Sequence, residues 1–77
     1  MNSTEITALE IVALELGKAK GKHPYFPDGA EGLSIITEEL GELAAALNDG
    51  ESKERQIEEA AHVAVTAIRF IERSLEK

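Results

Sequence analysis

Acidic and imidazole side chains gather in two short runs of this chain, Glu38-Glu39-Leu40-Gly41-Glu42 and Glu58-Glu59-Ala60-Ala61-His62. Residues three or four apart share one face of a helix, so Glu39 with Glu42 and Glu59 with His62 each present two donors in a single direction. Two such pairs facing one another nearly surround a divalent cation. The runs lie beside apolar positions, where an uncompensated carboxylate costs on the order of several kcal/mol that a cation or a proton must offset. The same residue types also serve as ordinary solubilising surface. That is the expected role of Glu54 and Glu72, which have no partner in either run. Glu38 and Glu58 are read as outer groups of the site, and His62 is open between a ligand and a packed, hydrogen-bonded side chain.

The elements that must position these groups are helical. Asn2, Ser3 and Thr4 offer caps, Glu5 favours a first turn, and Ile6, Leu9, Ala13 and Leu16 recur at helical spacing, so a helix is predicted over about 4–20. Pro24 and Pro27 make 21–28 a loop. Asp28 with Glu31 approximates a capping box for a second helix over 29–48, whose seam is Leu33, Ile36, Leu40, Leu43 and Leu47. Asn48-Asp49-Gly50 ends it, and Ser52 caps a third helix over 52–76 with the seam Ile57, Ala61, Ala64, Ile68, Ile71 and Leu75. The short turn makes helices two and three an antiparallel hairpin.

At about 100° per residue, helix three carries a second stripe roughly opposite its seam: Glu59, His62, Val63, Thr66 and Phe70. Both sides of such a helix need cover, and the expectation is that a second copy packs against this second stripe, most simply by two-fold symmetry. The fold class expected is thus all-α: one domain over 1–77, an antiparallel hairpin plus an N-terminal helix, completed into a helical bundle as a homodimer or homotetramer.

Size and charge agree with that expectation. A chain of 77 residues buries a smaller share of its surface than a larger domain, and with no cysteine it has neither disulfides nor thiolate ligands, leaving association as the main source of added stability. The formal charge of −7 argues against a nucleic-acid polymer as partner, since such binding draws on Lys and Arg. With no targeting pattern and no run long and apolar enough for a bilayer, a cytoplasmic protein without membrane contact is expected. Lys18, Lys20, Lys22 and His23 form one basic patch. It suits phosphate, and equally the C-terminal end of a helix dipole. Tyr25 and Phe26 either stack on a base or plug the end of the bundle.

Glu38-Glu39-x-x-Glu42, followed after 16 residues by Glu59-x-x-His62, resembles the paired acidic motif of the MazG-like all-alpha nucleoside triphosphate pyrophosphohydrolases. The resemblance covers 29–72 and includes the apolar run Val63-Ala64-Val65-Thr66-Ala67-Ile68. It implies hydrolysis of a nucleoside triphosphate, ribo or deoxy, to a monophosphate and pyrophosphate. By the same resemblance, Mg2+ is held by Glu39, Glu42, Glu59 and His62, a water is oriented by Glu38, and phosphate is contacted by Lys20 and Lys22. In that family the position of His62 is usually Asp. Imidazole suits Mn2+ or another divalent transition metal better than Mg2+, so a non-catalytic nucleotide- or metal-binding member of the same fold is the alternative. Two further readings are a carboxylate and histidine metal site of the di-iron kind, which needs a second Glu-x-x-His from another copy, and a purely structural oligomerisation hairpin.

Overall fold

In the computed structural model, which describes residues 1–76, three helices follow one another: α1 (Ser3–Lys22), α2 (Gly29–Asn48) and α3 (Lys53–Leu75). No strand occurs among the described residues, and no helix among them is long and apolar enough to cross a membrane.

The helix ends follow from local chemistry. Asn2 caps α1 by accepting from the Glu5 N–H at 2.8 Å, while Glu5 accepts from the Asn2 N–H at 3.0 Å, a reciprocal box. Ser52 caps α3 through the Arg55 N–H at 3.1 Å. Between α2 and α3, Gly50 adopts φ 65°, and the Glu51 N–H returns to the Ala46 carbonyl while that of Gly50 returns to Leu47. This paired closure is a Schellman stop, and its left-handed residue favours glycine. The box expected at Asp28 and Glu31 is not formed, because Asp28 makes no side-chain cap hydrogen bond to α2. The chain enters α2 through Gly29 at φ 55°, outside the geometry of an ordinary cap.

Packing is centred on α3. Both α1 and α2 pack against it, and neither packs against the other. The hairpin of α2 and α3 is therefore as expected, with α1 laid along the other flank. The apolar core is small: Phe26, Ala46, Ala61 and Val65. Its closed end is tight. A Cβ on Gly32 would stand 2.8 Å from the Pro27 carbonyl oxygen and 3.1 Å from Phe70, so only glycine admits this approach of α2 to the loop.

The direction of the seams is the chief departure from expectation. Glu59 and Thr66, on the stripe expected to meet a second copy, are buried within this one chain, and so is Arg69, which that stripe did not include. Ile57, Ile71 and Leu75 of the α3 seam stand exposed, as do Leu33, Leu40 and Leu47 of α2 and Ile6 and Leu9 of α1. The seams are thus split: Ala61 is buried and Ile36, Leu43, Ala64 and Ile68 are half-buried, while the other large side chains at their outer edges are left exposed.

Candidate metal centre

Because α1 and α2 touch α3 but not each other, a cleft of about 880 Å³ opens between them, within the size range of small-molecule sites. Its walls include Glu39 and Glu42 from α2, Glu59, His62, Thr66 and Arg69 from α3, and Glu15, Lys18 and Lys22 from α1. The two runs thus meet across the hairpin. Glu39, Glu59 and His62 each bring one donor atom to within 4.8 Å of the others. His62 Nδ1 lies 3.5 Å from Glu59 Oε1 and 3.8 Å from Glu39 Oε2.

Burial makes this cluster more than a patch of surface acid. The Glu59 side chain is only 3% exposed. Its Oε1 is held by Arg55 at 3.3 Å, whereas its Oε2 is buried with no hydrogen-bond partner. Glu39 Oε2 is likewise buried without one. Buried polar atoms are normally satisfied, so a carboxylate pair that leaves one oxygen of each member orphaned, around one imidazole, is an unbalanced set of donors. The set could hold a divalent cation, since carboxylate oxygen and imidazole nitrogen are ligands for Mn2+ and Zn2+ alike, and a proton on one carboxyl would balance it as well. Donors at about 2.1 Å in tetrahedral array stand about 3.4 Å apart, close to the separations seen from His62 Nδ1.

The electrostatics agree. Burial, and next the neighbouring Glu42 carboxyl, push the Glu39 carboxyl above its ordinary range. In Glu15 the hydrogen bond from Lys18 outweighs burial, and with His62 it holds the carboxyl below that range. Glu15 therefore stays an acceptor, and its Oε1 lies 3.2 Å from His62 Nε2.

Of the other residues singled out in the sequence, Glu42 lines the cleft outside the three-donor cluster. Glu38 is exposed on α2 and is not part of the wall, being about 100° around the helix from Glu39. Lys22 lines the cleft, while Lys20 pairs with Glu72 at 2.8 Å. Phe26 is buried and plugs the closed end, and Tyr25 is exposed at the rim beneath Arg73.

Three wall residues escaped the sequence reading. Arg69 lies 5.3 Å over the Phe26 ring and donates to the His23 carbonyl. It continues the Glu59, His62, Thr66 progression at helical spacing, and its charge within Ile68-Arg69-Phe70-Ile71 was the available signal. Glu15 follows Ile11 and Val12 by four and three residues, a signal shared with many solvated helix positions. Arg55 carried none beyond its place four residues before Glu59.

No family model matches the chain, and no curated protein or solved structure is significantly similar to it.

Proposed function

We propose that this chain is a metal-dependent nucleoside triphosphate pyrophosphohydrolase, as its resemblance to the MazG-like proteins implies, and that the cleft is its active site. The observation that carries this reading is the cluster of Glu39, Glu59 and His62, one donor atom of each within 4.8 Å of the others, on a Glu59 carboxylate whose Oε2 is buried and unpartnered. Glu39, Glu59 and His62 would hold the cation, Mg2+ or, given the imidazole, Mn2+. Bound there, it supplies charge neutralisation for phosphates and a more acidic water.

The remaining work falls to side chains of the chain itself. Lys22 and Arg69 place positive charge on the same wall, suited to the phosphate oxygens that the carboxylates would repel. Water oxygen bonds to the α phosphorus, the bond from that phosphorus to the α–β bridging oxygen breaks, and pyrophosphate leaves with the electron pair. Glu42, which lines the cleft outside the cluster, would take the proton of the water. The exposed Glu38 is not.

A homo-oligomer is the second part of the proposal. The chain exposes 5397 Å², whereas a compact monomer of 8.3 kDa exposes about 4,600 Å². Its radius of gyration is 13.1 Å against about 11.5 Å for a compact domain of this length. The excess of about 800 Å² is near what one partner buries in a standard interface. Some of it lines the cleft, and the outward seams supply the apolar part that a second copy would cover.

Purified protein with Mg2+ or Mn2+ is expected to release pyrophosphate from at least one member of a panel of ribo- and deoxynucleoside triphosphates. Absence of release across the panel overturns the enzymatic reading. His62 in place of the usual acid favours the second reading, a nucleotide-binding member without turnover. Calorimetry finding a nucleotide bound but not consumed would establish that one instead.

A further inference from the structure

We propose that Glu15 of α1 is a positioning residue, fixing the imidazole of His62 so that Nδ1 is the nitrogen offered to a divalent transition-metal cation between Glu39 and Glu59. The inference rests on the metal-site reading above and adds to it a role for the one helix that carries none of the three donors.

A neutral imidazole has one N–H and one bare nitrogen, and the hydrogen bond made by the first decides which atom the second is. An ionised carboxylate only accepts, so Glu15 Oε1, 3.2 Å from Nε2, calls for the proton on Nε2. Nδ1 is then bare and turned toward Glu59 Oε1 at 3.5 Å and Glu39 Oε2 at 3.8 Å. With Glu39 ionised, two acceptors and a bare nitrogen at those separations have no proton to share, and among the described residues the one partner Glu59 Oε1 has besides is Arg55. A cation resolves that arrangement, and an outer carboxylate on the far nitrogen is the usual way a ligating histidine is oriented.

Glu15 is itself held in place. Its Oε2 accepts from Lys18 Nζ at 3.1 Å, and its side chain is only 16% exposed. No residue of α1 is fully buried, and α1 packs on α3 alone. The other polar ties of this flank lie at its far end, Lys20 to Glu72 and Arg69 to the His23 carbonyl. Glu15 to His62 is thus the tie at the level of the site, and a shift of α1 away from α3 would release the imidazole.

The test has two arms. In metal-free protein, 15N-resolved spectra of the His62 ring are expected to show the neutral form carrying its proton on Nε2. That preference should be lost in Glu15→Ala and kept in Glu15→Gln, whose amide oxygen still accepts. In calorimetric titration with Mn2+ alone, Glu15→Ala should bind about 10- to 100-fold more weakly than the native chain, with Glu15→Gln recovering most of the loss. Lys18→Ala, which leaves the His62 contact in place, should change neither readout by more than about threefold. A proton on Nδ1 in the native chain, or an Ala variant matching it in tautomer and affinity, overturns the proposal. A native chain that binds no Mn2+ overturns the metal site itself, and the tautomer in metal-free protein still decides whether Glu15 sets the ring.

Discussion

On the side of α3 that meets its neighbours, the chain buries Glu59, Thr66 and Arg69 along with Ala61 and Val65, while away from it Ile71 and Leu75 stand 56 and 78% exposed. An ordinary amphipathic helix does the reverse. Each face taken alone is unfavourable, the inner one for its desolvated charge and the outer one for its wetted apolar surface. The pairing teaches that burial within one chain leaves both faces unbalanced, and in the function proposed above each is answered separately, the inner face by a cation and the outer by a second copy.

The strongest way to break that contrast is to place charge on the outer face. Ile71→Glu combined with Leu40→Glu should convert a homo-oligomer to monomer in light scattering, raising the dissociation constant by at least about 100-fold, given ~1.5–3 kcal/mol for each large apolar side chain returned to water. An unchanged mass would show that these ridges meet nothing.

A change of charge on the inner face should act in opposite directions on stability and binding. Glu59→Gln keeps the shape and removes the buried charge, so the metal-free protein should melt higher, by roughly 1–2 kcal/mol at the midpoint. The same variant should lose Mn2+ affinity by about tenfold or more in calorimetry. A fall in both would mean that the Glu59 contact with Arg55 outweighs its desolvation.

The smallest effect expected is on pH dependence. Because the Glu39 carboxyl is raised by burial and by Glu42, its neutral form is the one the fold favours. The stability it contributes is full below the unfolded-state value of 4.5 and is lost as pH rises through the higher folded-state value. Metal-free protein should therefore lose some stability on going upward from about pH 4, and Glu39→Gln should flatten that slope in thermal melts. Saturating Mn2+ should reverse its sign, since the cation competes with the proton.

Much of the framework was legible before any coordinates. Glycines, prolines and caps mark where helices stop, and α2 runs over Gly29–Asn48 as the spacing implies. Glu39, Glu59 and His62 were visible as a group because both runs fall on one hairpin. The orientation of the seams was not legible. When both sides of a helix are apolar enough to need cover, nothing in its periodicity says which side its own chain will take. Glu15 was hidden for a related reason: Ile11 and Val12, which share its side of α1, are no more apolar than Ile6 and Leu9, which face out. The missing box at Asp28 shows the limit of cap motifs where a left-handed glycine bends the entry.

The lack of packing between α1 and α2 has a consequence for how such a chain can change over generations. Substitutions on the inner side of one helix meet no matching constraint from the other, so each wall can drift on its own against a shared backbone of α3. The hairpin keeps the three donors, and on the first helix Glu15 is the position tied to them, so the rest of α1 answers to α3 alone and is the part of the wall with most room to change.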